Sequence, residues 1–139
     1  MQVNYIAIII ATVVQFIIGA VWCRVLFGKL WGKMNGFDKL PKETQDKLAK
    51  SMGPFYGLQF LMTLLSTFVL ALFVVYLPLW NSYAMAGFFW LGFIFPVHVS
   101  AALFGTTERK WIVKKIAVQT ILSLICIEAA AIILRLFMK

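Results

Sequence analysis

Charge is what this sequence has least of. Of 139 residues, thirteen are basic and five acidic, 13% in all, against about 25% in an ordinary soluble domain. With 63% hydrophobic residues, so little polar surface could not cover a water-soluble globule. A soluble enzyme, a disordered tail and a nucleic-acid module are thereby excluded. One histidine and two cysteines are too few for a Cys/His metal centre or a disulfide scaffold. Cys23 falls near one end of its apolar run and Cys126 near the middle of another, too far apart to be bridged. The chain has no phosphate-binding glycine loop, zinc-protease motif or Ser/His/Asp constellation. No cofactor, metal or nucleic acid is expected.

What the chain does have is four apolar runs, at about residues 3–23, 54–77, 83–104 and 111–137. Each is long enough to cross ~30 Å of hydrocarbon as a helix. Backbone amides find no water in lipid, so continuous runs of this kind must be helical. They lack the period-two alternation of a barrel. The first run has no positive leader and ends in Trp22-Cys23-Arg24 rather than a small-x-small cleavage site, so it reads as a retained helix. The expected fold is all-α: one integral membrane domain, residues 1–139, built as a bundle of four transmembrane helices.

Orientation follows from the cations. Arg24, Lys29, Lys33, Lys39, Lys42, Lys47 and Lys50 lie between runs one and two; Arg109, Lys110, Lys114 and Lys115 lie around the start of run four. Arg135 and Lys139 alone belong to the other side. The positive-inside rule places both basic loops in the cytoplasm and both termini outside, as in a multi-pass membrane protein. Trp22, Phe27, Trp31, Tyr56, Phe104 and Trp111 flank the basic side, and Tyr5, Tyr76, Trp80 and Tyr83 the other, as interfacial rings should. The first basic loop is expected to be partly helical. Pro41 suits a first helical position, Glu43–Lys47 and Asp46–Lys50 have i,i+4 spacing, and Gly53-Pro54 should stop the helix. Residues 27–37, with lysines among aromatics, are expected along the membrane surface.

Polar residues within a span are expensive and therefore informative. Asn4, Ala11, Gln15, Gly19 and Trp22 share one face of span one; Gln59, Thr63 and Ser66 share one of span two. Gly87, His98, Ala101, Ala102 and Gly105 do so in span three across Pro96, and Gln119, Ser123, Cys126 and Ala130 in span four. Gln15, Gln59, His98 and Gln119 are expected roughly 4–10 Å on the basic side of the midplane. They form either interhelical glue, worth ~0.6 kcal/mol per bond, or a polar pocket with a titratable His98. Pro96 removes the donor to the Gly92 carbonyl and is expected to kink span three.

Glu128 is the one acidic residue inside a span, on the opposite face of span four from Gln119. Arg135 follows seven residues later, about 10 Å nearer the far surface, and Trp90 falls at about the depth of Glu128. The indole of Trp90 could therefore donate a hydrogen bond to the carboxyl, a second subunit being the other candidate partner. If the Gln119 face is the core, Glu128 faces lipid or a second protomer, which implies a homo-oligomer joined through the fourth helix.

Gly19, Trp22, Phe27, Gly28 and Trp31, then Trp90-Leu91-Gly92-Phe93 with Pro96, then Glu108 to Trp111, together resemble domain-of-unknown-function family 1761, small four-helix bacterial membrane proteins. Cys23, Arg24 and Val25 stand where the family pattern has Tyr-Ser-Pro. The resemblance implies the four-helix membrane fold and no activity.

The residues themselves point to a non-enzymatic oligomeric bundle surrounded by membrane lipids and binding a lipid or small amphipathic ligand. A proton-coupled transporter using Glu128 and a membrane enzyme using His98 are the alternatives. The site residues carried forward are Glu128, His98, Gln15, Gln59, Gln119, Trp90, Asn4 and Arg135.

Overall fold

The structure, a computed structural model, describes residues 2–77 and 81–138. Trp80 of the interfacial set and Lys139 of the charge count lie outside the described residues. Four helices are long and apolar enough to cross a membrane: Tyr5–Leu26, Gly53–Tyr76, Ser82–Phe104 and Arg109–Phe137. We call them spans one to four. No strand occurs among the described residues.

Span one is helix α1 (Tyr5–Val21) continued by a π-helical turn, Trp22–Leu26. Asn4 caps α1, its Oδ1 accepting from the amides of Ile6 and Ala7 at 3.1 and 3.2 Å, which satisfies donors a helix start leaves free. The helix runs past the expected end at Cys23 because Arg24 does not have to stop it. Its guanidinium sits 5.6 Å from the Tyr56 ring and its Nη2 is 3.4 Å from the Tyr56 hydroxyl, so the stem stays apolar while the charge reaches outward.

A short amphipathic helix follows, α2 (Gly28–Met34), with Met34 buried. It is ended by Gly36 in the left-handed region, φ 71°, a conformation costly to any residue with a Cβ. Helix α3 (Lys42–Ser51) carries the predicted Glu43–Lys47 pair at 2.8 Å. One local expectation differs: Pro41 precedes α3 instead of opening it. The loop helix ends at Ser51, just before Gly53-Pro54, and that pair begins span two, helix α4 (Gly53–Tyr76). A proline in a first turn loses no hydrogen bond, because those amides have no partner in the helix anyway.

Span three is broken as the proline predicts, in a specific way. Helix α5 (Ser82–Phe89) passes into a π turn, Trp90–Ile94, and then into α6 (Phe95–Phe104) with Pro96 in its first turn. The Phe95 amide reaches back to the Trp90 carbonyl, so the wider turn absorbs the donor that proline lacks. At the end of α6 a Cβ on Gly105 would lie 2.5 Å from the Ala101 carbonyl oxygen, so only glycine fits there. Span four is α7 (Ile112–Phe137), preceded by a 3₁₀ turn at Arg109–Trp111.

Span four is the middle of the bundle. It packs against α1, α4, α5 and α6, and α1 also packs against α4. The core is built from small residues of all four spans, Ala7, Ala11, Ala71, Ala86, Ala130 and Ala131, around Ile8, Leu70, Val74 and Leu134. Small side chains let backbones approach where lipid offers no hydrophobic drive to pack. These residues lie in the half of the bundle remote from the basic loops. Large apolar side chains such as Ile9, Ile17, Leu58, Val97 and Ile121 point outward, an arrangement suited to hydrocarbon and not to water.

Both basic loops meet at one end. Glu108 pairs with Lys39 and with Lys110, the latter at 2.9 Å, and Lys115 donates to Asn35 at 3.2 Å and Thr107 at 2.8 Å. The Lys39 and Lys110 ammonium groups hold the Glu108 carboxyl at about 2, well below the usual carboxylate range. This clamp ties the loop between spans one and two to the loop between spans three and four.

Candidate functional site

The two polar faces of spans one and four pack against each other. Asn4 Nδ2 donates to the Phe137 carbonyl at 3.2 Å, and the Cys126 thiol lies 3.7 Å from the Gln15 carbonyl. These two contacts fix one antiparallel register along the whole seam. Gln15 also bridges to span two, its Nε2 donating to Thr67 Oγ1 at 2.7 Å and to the Ala11 carbonyl at 3.3 Å. Gln15 and Asn4 therefore act in packing. An open depression of about 440 Å³ at the ends of spans one and four is lined by residues 2–6 with Phe137 and Met138. The Asn4 side chain within it is already spent on the cap and on Phe137.

The expected layer of Gln15, Gln59, His98 and Gln119 is not brought together. Gln59 is exposed and donates to Thr63 one turn along its own helix, at 3.3 Å. Gln119 is carried by register to the level of Trp22. Trp22's indole nitrogen is buried with no hydrogen-bond partner, and Gln119 forms no hydrogen bond among the described residues. His98 is half-buried on α6, which packs on α7, and it too makes no hydrogen bond among the described residues. Equal depth along four separate helices does not make four side chains converge.

The seam between spans three and four carries the chemistry. Trp90 is engaged elsewhere than at Glu128: its Nε1 donates to the Thr120 carbonyl and to Ser123 Oγ, both at 3.0 Å. It therefore sits nearer the basic end than Glu128 and is not that residue's partner. Glu128 instead lies opposite Gly87, where a Cβ would stand 3.6 Å from Oε1. The carboxyl is half-buried and has no hydrogen bond or ion pair among the described residues. Arg135 turns away from it: Nη1 donates to Asn81 Oδ1 at 3.0 Å, and the guanidinium is 5.4 Å from the Tyr83 ring centre. Asn81 Oδ1 also accepts from the Tyr83 amide at 3.1 Å as the cap of α5, so the arginine is tied to a fixed point of the fold.

Glu128 lies at the outer edge of the seam with span three, beside Gly87 and on the same face of α7 as the exposed Ile121, Ile125, Ile132 and Leu136. That face is opposite that of Gln119, and its edge meets span three. Eleven residues separate Gly87, beside Glu128, from His98, about 16 Å along the helix. Direct acid–base cooperation of the two is excluded at that distance. No group of three metal-ligating side chains occurs among the described residues.

Two contributors escaped the sequence reading. Gly87 was placed on the small face of span three without its counterpart. Asn81 carries both a helix cap and Arg135, of which the Asn-Ser start of an apolar run signals the first only.

A family model described as "Protein of unknown function (DUF1761)" matches residues 6–135. No curated protein and no solved structure matches the chain.

Proposed function

We propose, from the premise that this chain belongs to the DUF1761 family, that it is a non-enzymatic single-domain membrane protein that binds a lipid or small amphiphile at Glu128. The observation that carries the reading is a carboxyl group within a membrane span, beside the bare backbone of Gly87 and without an internal partner. Polar groups at such depth are costly and serve function by default. With no cation against it, an ionised carboxylate is the expensive form. The group is best used as a hydrogen-bond donor to a ligand oxygen arriving from the bilayer, since glycine leaves room for that approach. The basic loops face the cytoplasm of a bacterial inner membrane and the termini the outside, by the distribution of eleven cations against two. Pairing of copies through span four uses the strip at Ile121, Ile125, Ile132 and Leu136, and cysteine cross-linking there tests it.

The test uses a variant retaining Trp90 as its sole tryptophan, titrated with diacylglycerol brominated near the ester. Trp90 lies in the same seam, so bound bromine quenches it. Glu128→Leu removes the donor and should weaken binding about 3- to 18-fold, the range of one membrane hydrogen bond; Glu128→Gln keeps a donor and should retain it. Equal binding by all three proteins would refute the reading. Proton-coupled transport uses the same unpaired carboxyl and makes the opposite prediction for Gln, which cannot release a proton. Binding lost in Glu128→Gln together with ligand-driven proton release in the wild type would favour transport.

A further inference from the structure

At the mouth of this seam, remote from the basic loops, Arg135 carries a positive charge that no acidic side chain among the described residues pairs with. The chain has five acidic residues. Asp38, Glu43, Asp46 and Glu108 belong to the basic end, which leaves Glu128 as the one carboxyl in this half of the sequence's spans. Arg135 is not paired with it; Asn81 and the Tyr83 ring hold the guanidinium instead. All three residues are exposed. Arg135 is two residues from the end of α7, and Asn81 and Tyr83 stand at the start of α5, so the group sits at headgroup depth. One Nη1–H is used on Asn81; a guanidinium has five donors in a planar fork that matches phosphate.

The geometry points to a phospholipid site: Arg135, held by Asn81 and Tyr83, takes the phosphate, and Glu128, beside Gly87, takes an ester carbonyl of the same molecule. The inference rests on the reading of Glu128 given above and names its ligand. Spacing supports it. Asn81 and Gly87 are six residues apart, about 9 Å along the helix. A phosphate and an ester carbonyl joined through one glycerol backbone, each extended by a hydrogen bond of about 2.8 Å, reach across a separation of that order. The acyl chains then run along the outer apolar surface of spans three and four. A phosphate replaces water on an arginine whose geometry is already fixed by the α5 cap, so little ordering is required on binding.

The experiment compares two brominated probes with the same acyl chains, phosphatidylglycerol and diacylglycerol, on the full chain with Trp90 as sole tryptophan. The expected result is a preference for the phosphate-bearing lipid of about tenfold or more, the scale of a charged hydrogen bond. Arg135→Gln should bring phosphatidylglycerol down to the level of diacylglycerol, and Arg135→Lys should keep part of the preference. Equal affinity for the two probes in the wild type, which needs no variant to fold, would overturn the inference. So would a preference that survives Arg135→Gln. Displacement of the lipid by millimolar inorganic phosphate would assign the site to a free anion and overturn it as well. Failure of the Glu128 reading looks different: diacylglycerol binding that ignores Glu128→Leu.

Discussion

Substitutions at Gly87 bear on the site from the side that carries no charge. A methyl group at this position meets Glu128 Oε1 at 3.6 Å, an ordinary van der Waals contact, so Gly87→Ala needs no movement. Alanine also removes backbone freedom from the unfolded chain, worth up to about 1 kcal/mol in a helix. Gly87→Ala should therefore be as stable as the wild type or slightly more so, with lipid affinity within about twofold, less than 0.5 kcal/mol. Leucine is different. Its branch continues from a Cβ already in contact with the carboxyl, so the leucine and the Glu128 side chain cannot both occupy the seam. Quenching of a lone Trp90 by brominated diacylglycerol should then need about tenfold more lipid, equivalent to 1.4 kcal/mol. Gly92→Leu is the control, because nothing lies within 4 Å of a Cβ there, and it should leave the titration unchanged. A Gly87→Leu protein that folds and binds as the wild type would refute the reasoning, since the Glu128–Gly87 contact would then have no bearing on the ligand.

The loop clamp and the internal glue have their own tests. A zero-length carbodiimide should join Lys39 to Glu108, identified by mass spectrometry of the joined peptides; the absence of that link would contradict the clamp. Glu108 has its value lowered to about 2, so its contribution to holding the loops is complete above about pH 5 and is lost as pH falls through about 2. Hydrogen-exchange protection in residues 35–40, taken relative to the free-peptide rate at each pH, should accordingly persist to pH 3 in the wild type and be low throughout in Glu108→Gln. A double-mutant cycle of Gln15→Leu and Thr67→Val should give a coupling near 0.6 kcal/mol and no more than about 1.7. The Thr67 hydroxyl keeps its own bond to the Thr63 carbonyl, at 2.8 Å, so neither single change strands a buried donor. Zero coupling in unfolding measurements would show that the 2.7 Å bond does not hold spans one and two together.

The four spans were legible because the physics that makes them is local: twenty apolar residues in a row leave the backbone one solution. The polar faces of spans one and four were legible for the same reason, and they do meet, at Asn4–Phe137 and Gln15–Cys126. Neighbour relations were not legible. Hydropathy says that Glu128 and Gln119 face opposite ways and cannot say that span four has a helix on each side. Register between spans was also hidden. Trp90 and Glu128 have similar depths when each is counted from its own midpoint, yet the packed helices set Trp90 against Thr120 and Ser123. Pro96 announced a break in span three, while the form it takes, a π turn at Trp90–Ile94, depends on where the backbone finds its next donor.

Infrared difference spectroscopy reads the Glu128 carboxyl itself. A protonated carboxyl band is expected at neutral pH in the detergent-purified wild type. That band should shift when phospholipid is added and be missing in Glu128→Gln. A carboxyl band that ignores the lipid, or a Glu128 already ionised at neutral pH, would contradict the claim that this residue receives an amphiphile from the bilayer.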